Sequence, residues 1–496
     1  MTVSTVEIPL STNNIDDYRK FLRIKQLPSY DIRGGFAVIP KDYAGEFVPT
    51  QSDKVTNYVP SDFLFDYQRD ITRMALRKKK FSIFADCGLG KTLIYSEYAK
   101  AVDAVLASDK KILMICPLMV VDQTLEEYAK WYPGWEGFER IKSKDLAGWL
   151  VGDGRMGITN FEALNADLDT SRVGCIIVDE SSLLKSHYGK WGTAIIRMGR
   201  GVEWKLCGTG TPAPNDRIEY ANHAVFMDAF PGVNSFLAKY FINRGQTQER
   251  WQLKAHAIEP FYRSLSHWCI FLANPGTYGW KDCTDRIPPI HVTIHGVPAT
   301  DAQTKALQEL TGNLIVTTAG GIGTRSKIGQ IAKGKYRGSP IATNKPSAIK
   351  QLVDSWPDES TIIWCIYNDE QSIMERTFPG AASMSGDTPL SDRQKMISDF
   401  KSGKTKILIT KPKILGFGLN LQVATRHVFS GLQDSYESYY QAVKRSNRIG
   451  SPRPLNVHIP VVDCERPMVE NVLRKCHMVE EDTAAQERIF CANTYR

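Results

Sequence analysis

The stretch FADCGLGKT, Phe84 to Thr92, carries residues that can hold a triphosphate. Gly88 and Gly90 lack side chains, so the backbone through Cys87, Gly88, Leu89 and Gly90 can wrap closely and aim N–H groups at phosphate oxygens. Lys91 supplies a positive charge for the β- and γ-phosphates and Thr92 a hydroxyl for Mg2+. A helix starting there would favour the anion at its N-terminus. Loops of this kind usually open on glycine. Ala85 stands in that place, which adds one methyl and excludes only a positive φ.

A second group is CIIVDESSLLKS, where Asp179 and Glu180 follow an apolar run. Asp179 can hold a magnesium ion through water while Glu180 orients an attacking water. An Asp-Glu pair at a strand end is often only a solvated turn. Paired with the glycine loop, it predicts a site for ATP and Mg2+.

Such groups need a scaffold that ends several strands side by side. FSIFA runs into the glycine loop, and KTLIYSEYAKAVDAVLA follows with helical spacing. KKILMICP, GRMGITN, VGCIIVDE and WKLCGTGTP are further short apolar runs that end in polar or turn residues. Strands alternating with helices predict a parallel sheet covered on both faces, with ligands at the carboxyl ends of its strands. A second series begins near His291 with IHVTIHGV, STIIWCIYN, KTKILIT, TRHVFSG and LNVHIPVV. Two similar α/β lobes are therefore expected. The expected division is an N-terminal accessory segment 1–57, a first lobe 58–219, a helical protrusion 220–289, a second lobe 290–465 and a helical tail 466–496. The aromatics of the protrusion, as in FLAKYF and FYRSLSHWCIFLA, are expected to pack a small core of their own.

In motif type and order, the chain from about Phe65 to Val462 resembles the superfamily 2 helicases, and among them the SWI/SNF-like translocases on double-stranded DNA. FDYQRD is similar to the family's adenine-reading segment, which places Gln68 against the base. ICPLMVVDQTLEEYAKW and GITNFEAL are similar to segments that touch one DNA strand, implying contacts from Pro117, Thr159 and Asn160. LCGTGTPAPN resembles the L-T-G-T-P-x-x-N signature of this branch. KPKILGFGLNLQVA resembles K-A-G-G-x-G-L-N-L, with Lys413 at DNA and Gly418 at the nucleotide. YYQAVKRSNRIGS resembles Q-A-x-x-R-x-x-R-I-G-Q and supplies Gln441 to the nucleotide and Arg445 and Arg448 as transition-state charges. Three residues apart, the two arginines would share one face if they lie on a helix.

The resemblance implies an α/β fold of two RecA-like parallel-sheet lobes, with a helical inter-lobe insertion and a small N-terminal appendage. It also implies ATP hydrolysis between the lobes, a duplex or branched DNA partner and a monomeric motor, with room for a partner protein. The compact size is similar to that of small helicases encoded by phages. Departures from the family pattern are Ala85, Ser181 and Ser182 after the acid pair, Ile414 and Leu415, Asn447 and Ser451. None removes a charge that hydrolysis needs.

Composition sets the outer bounds. At 496 residues the chain exceeds one ordinary domain, and 42% hydrophobic with 23% charged residues is ordinary for globular proteins. A formal net charge of +8 suits a polyanionic partner without requiring one. The ten cysteines sit mostly in apolar runs with no C-x-x-C pair, the pattern of buried thiols in a reducing compartment. The start lacks a signal-peptide layout and no apolar run suits a membrane helix, so a cytoplasmic protein is expected, in the host cytoplasm if phage-encoded. The basic run TRSKIGQIAKGKYRG suits either a phosphate backbone or solvent. Rival readings are a strand-separating DNA or RNA helicase, a non-enzymatic DNA clamp, or the motor half of a defence system. Against the clamp stands the full set of Lys91, Asp179, Glu180 and both arginines.

Overall fold

A computed structural model describes residues 5–11, 14–47, 58–165, 167–186, 189–245, 251–281, 287–311, 322–415, 420–432, 435–448 and 450–494. The chain divides into two compact units, Met1–Asp282 with Val479–Arg496, and Cys283–Met478.

The first unit is built on a seven-stranded sheet. Its order is Cys269–Leu272, Lys80–Ala85, Trp204–Gly208, Val173–Asp179, Lys111–Cys116, Met156–Asn160 and Glu139–Arg140. Every pairing is parallel. The central strand VGCIIVD is buried at every residue, as a strand covered on both faces must be. Three neighbouring strands therefore end at the glycine loop, at the GTGTP segment and at Asp179, and the order of the sheet is what brings those segments together.

The helical stretch after Glu219 forms Tyr220–Phe226, Val233–Tyr240 and Ile258–Leu265. Its aromatics do not make the separate core expected of them. Phe226, Phe230, Phe236, Tyr240, Phe261 and Trp268 join one continuous cluster with Leu113, Val178 and Phe84 of the sheet. The reason is the strand Cys269–Leu272, which pairs with Ser82–Ala85 at the sheet edge and draws the preceding helices onto that face. Residues from Val479 onward lie in this unit as well, with Ala485 and Ile489 against the same cluster.

Ahead of these elements, a three-stranded antiparallel sheet, order Thr5–Pro9, Phe36–Pro40, Asp31–Arg33, packs with the helix Ile15–Ile24 over Ile8, Ile24, Leu27, Ala37, Ile39 and Tyr43. Lys239 pins this appendage, donating to the carbonyls of Leu27 at 2.9 Å and Pro28 at 2.5 Å.

The second unit holds a six-stranded sheet, order Ile290–Gly296, Leu455–Val461, Arg426–Phe429, Thr361–Trp364, Ile407–Thr410 and Ala382–Ser383, again parallel throughout. Lys333, from the basic run, is neither on the surface nor poised for phosphate. It is buried against Glu465 at 2.9 Å, and buried Lys345 pairs with the other oxygen of that carboxylate. The chain is thus α/β with two parallel-sheet lobes, as expected. No disulfide joins the described cysteines, and among the described residues no helix is long and apolar enough to cross a membrane.

Candidate functional site

Lys80–Ala85 ends as a regular strand, with Ala85 paired to Leu272. Ala85 is not among the residues with positive φ, so a methyl costs nothing in the first-glycine place. The later glycines are different. Gly88 has φ +88° and Gly90 φ +68°, a region that side chains rarely enter. A Cβ on Gly90 would also stand 2.3 Å from the Gln68 amide nitrogen. Gly90 caps the helix Lys91–Asp103, whose first turn opens the anion-binding end. The Lys91 ammonium lies across the loop, donating to the carbonyls of Ala85 at 2.8 Å and Asp86 at 3.3 Å.

Gln68 braces this loop. Its amide donates to the Leu89 carbonyl at 3.3 Å and its oxygen accepts from Phe65 N–H at 3.0 Å. The Tyr67 hydroxyl donates to the same Leu89 carbonyl at 3.1 Å.

Asp179 is buried at the end of its strand and paired with Gly208 on the next. Its Oδ1 accepts from the Tyr95 hydroxyl at 3.2 Å and from Glu180 N–H at 2.9 Å. Burial pushes the Asp179 carboxyl above its ordinary range, and the nearby Lys91 charge and these two donors pull it back. Glu180 adopts φ +50°, ψ +49°, a left-handed conformation that costs a non-glycine residue about 1–2 kcal/mol. That turn presents its carboxylate to Thr209, whose hydroxyl donates to Glu180 Oε2 at 3.2 Å and accepts from Thr211 N–H at 3.2 Å.

Burial raises the carboxyl of Glu127, on the helix Leu118–Trp131, and the nearby Thr92 hydroxyl opposes that shift. Among the described residues, no three His, Cys, Asp or Glu side chains gather as a metal cluster. One hydroxyl and one buried carboxylate suit Mg2+, which keeps waters and takes further ligands from phosphates.

Sequence reasoning missed Tyr95, Thr209, Glu127 and His223. The ring nitrogen Nε2 of His223 lies 3.1 Å from Ser181 Oγ, and burial holds this imidazole down at about 4. Its contact explains how a serine fits directly after the acid pair. Only Thr209 carried a signal, as part of GTGTP.

The residues expected to touch DNA are placed differently from one another. Pro117 is buried as the N-cap of its helix. The Thr159 hydroxyl donates to the Ile141 carbonyl at 3.0 Å, and Asn160 Oδ1 accepts from Ala163 N–H and from the Ser143 hydroxyl. Lys413 of the second unit is exposed.

In the second unit the helix Tyr436–Val443 carries Gln441 and stops before both arginines. They follow in successive turns instead of sharing a helix face: Arg445 is buried, and Arg448 donates from Nε to the Lys444 carbonyl at 3.0 Å and from Nη1 to Asn420. Two departures from the family pattern, Asn447 and Ser451, bond to backbone here. Asn447 Nδ2 donates to the Pro288 carbonyl at 2.6 Å, Ser451 Oγ accepts from Arg448 N–H at 3.1 Å, and Gly450 takes φ +90°. Gly418 lies outside the described residues.

Comparison with known proteins gives a consistent set of likenesses. Residues 344–450 match the helicase conserved C-terminal domain. Protein p41 of Acyrthosiphon pisum secondary endosymbiont phage 1 is 23% identical over 438 residues, covering 79% of this chain and 91% of that protein. The DNA annealing helicase and endonuclease ZRANB3 of Mus musculus is 22% identical over 438 residues, covering 81% of this chain. The chain spans only 40% of the length of that mammalian relative. A solved structure, the Sulfolobus solfataricus SWI2/SNF2 ATPase core in complex with double-stranded DNA, aligns at 18% identity and a TM-score of 0.40 over 87% of this chain and 95% of that one. The chain resembles the SWI/SNF-like branch of the superfamily 2 helicases.

Proposed function

We propose, from this resemblance, that the chain is an ATP-hydrolysing motor that moves on double-stranded DNA and remodels DNA structures or the proteins bound to them. The observation that carries the hydrolytic half is the convergence of Lys91, Asp179, Glu180 and Thr209 at the ends of three adjacent strands. A fold retained only as a clamp would not require a strained Glu180 held by a dedicated hydroxyl.

In this reading the loop amides and the Lys91 ammonium bind the β- and γ-phosphates, the lysine exchanging its loop carbonyls for phosphate oxygens. Mg2+, held from Thr92 and Asp179, would neutralise charge on the phosphate oxygens. Glu180, fixed by Thr209, orients the water that attacks the γ-phosphate. Arg445 and Arg448 are assigned, on the family motif, to the transition-state charge. The DNA half rests on motif type, on the names of the relatives and on the basic balance of the chain. Lys413 is the exposed candidate for a phosphate contact, and duplex binding should weaken steeply with salt.

The test is ATP turnover with no nucleic acid, single-stranded DNA, double-stranded DNA or RNA, beside Lys91→Ala and Glu180→Gln. Stimulation by duplex DNA that disappears in both variants is the expected result. Stimulation by single strands alone would point to a strand-separating helicase. The absence of turnover under every condition would overturn the motor reading for the isolated chain.

A further inference from the structure

The last helix, Arg466–Thr494, has its residues from Val479 onward in the first unit. There Asp482 is buried, its side chain 4% exposed. Arg217 donates from Nε to both of its oxygens, at 3.0 and 3.1 Å, and from Nη2 to Oδ1 at 2.5 Å. The Tyr262 hydroxyl donates to Oδ1 at 2.5 Å. Further along, Glu487 accepts from Ala273 N–H at 2.8 Å and from Asn274 N–H, and Phe490 meets the edge of Tyr278. This is a built contact, with a buried carboxylate satisfied by a guanidinium fork and a phenol.

Arg217 opens the short turn Arg217–Glu219 and, through it, the helix Tyr220–Phe226. Glu219 of that turn accepts from both the backbone and side-chain N–H of Asn215, each at 2.9 Å, and so holds the end of the GTGTPAPN segment. The helix then clamps the loop after the acid pair. Asn222 Nδ2 donates to the carbonyls of Leu184 at 2.6 Å and Ser186 at 2.8 Å, and His223 meets Ser181. The clamped turn Ser181–Leu184 is the one that begins at Glu180, with Leu183 N–H bonded to the Glu180 carbonyl at 3.3 Å.

We infer that Asp482 is a positioning residue for hydrolysis: through Arg217 and the helix Tyr220–Phe226 it fixes the turn that sets the Glu180 carboxylate. The inference rests on the ATPase reading above for its kinetic consequence, and its structural half stands without it. A strained left-handed Glu180 persists only while its surroundings over-determine it. Removing the remote grip frees the turn to relax and moves the carboxylate off the attacking water, without touching the phosphate loop.

The experiment uses the full chain with Asp482→Asn, Tyr262→Phe and the Arg217→Ala, Asp482→Ala pair alone and together. Two quantities are read: the kcat and KM for ATP, and hydrogen–deuterium exchange at the Leu183 and Lys185 amides. The expected result for Asp482→Asn is a kcat lower by about tenfold with KM within about twofold, because a misplaced catalytic group affects the transition state more than binding. Exchange at both amides should quicken, and the double variant should be no worse than the worse single one. Tyr262→Phe keeps the ion pair and should shift both quantities the same way by less; it decides the matter if Asp482→Asn fails to fold. Unchanged kcat and exchange in a folded Asp482→Asn protein, or additive losses in the double variant, would overturn the inference. If the wild-type chain shows no turnover, the ATPase reading fails, and the exchange rates alone decide whether Asp482 fixes the turn.

Discussion

The Thr209 hydroxyl donates to Glu180 Oε2 at 3.2 Å, tying the end of one central strand to the carboxylate that follows its neighbour. The bond exists because Asp179 and Gly208 are register partners, so the residue after each lies beside the other. It gives the GTGTP segment a definite physical task, which is to hold the Glu180 carboxylate.

Thr209→Val keeps the shape and removes the hydroxyl. A hydrogen bond to a charged group contributes about 1.5–3 kcal/mol, so kcat should fall by roughly 10- to 100-fold while KM for ATP stays within about twofold. Steady-state kinetics at saturating duplex DNA checks it. A drop carried by KM instead would place Thr209 in nucleotide binding.

Asp179 sets function against stability. Its carboxyl is raised, so the folded state holds the proton more tightly than the unfolded chain does. The stability attached to the protonated form is complete below the ordinary value of 3.8 and is lost as pH rises through the folded value. Once ionised, the buried group therefore detracts from folding. Asp179→Asn should raise Tm at pH 7 while lowering turnover by roughly 10- to 100-fold. Thermal unfolding beside ATPase rates tests both parts, and a lowered Tm would contradict the burial argument.

The acid limb carries the opposite sign. Burial holds His223 down at about 4 from an ordinary 6.5, and His427 at about 3. Each contributes stability in full above pH 6.5 and loses it as pH falls toward the folded value, where the unfolded chain takes up the proton first. The unfolding free energy should decline from pH 7 to pH 5, and His223→Gln should make that slope shallower by up to about 1.4 kcal/mol per pH unit, read by denaturant unfolding at each pH. An unchanged slope would mean that His223 is protonated in the folded protein.

Glu465 is the shared counter-ion of two buried lysines in the second lobe. Burial lowers Lys345 to about 8 even with that carboxylate present. Glu465→Gln leaves two buried lysines with only the Glu370 carboxylate acting on them, and removing one partner of a buried ion pair costs about 3–5 kcal/mol. Amide exchange should quicken around Lys333 and Lys345 and leave the strand Val173–Asp179 of the first lobe unaffected. Equal loosening of both would show that the lobes do not melt separately.

Much of this was legible in the sequence because strands declare themselves locally. FSIFA, KKILMICP, VGCIIVDE and WKLCGTGTP each became a strand ending at its polar residues, and the glycine loop followed the first of them. What was not legible depends on partners distant in the chain. Nothing near Cys269 announces that it will pair with Ser82, yet that pairing assigns a long run of aromatics to the first lobe. Tyr95 reads as an ordinary helical tyrosine until the register brings Asp179 to its hydroxyl. Arg445 and Arg448 fit a helical repeat, but the helix ends at Val443, and the Ser451 hydroxyl accepts locally from the Arg448 N–H.

The docking of residues from Val479 onward into the first lobe bears on how the chain is made. Synthesis runs from the N-terminus, and domains generally fold as they emerge. Here the core around Phe261 and Trp268 gains Ala485 and Ile489, and Arg217 gains Asp482, only after the whole second lobe has left the ribosome. Until then the Arg217 guanidinium lacks its carboxylate partner and the apolar face lacks part of its cover. The first lobe to be translated is the last to be finished.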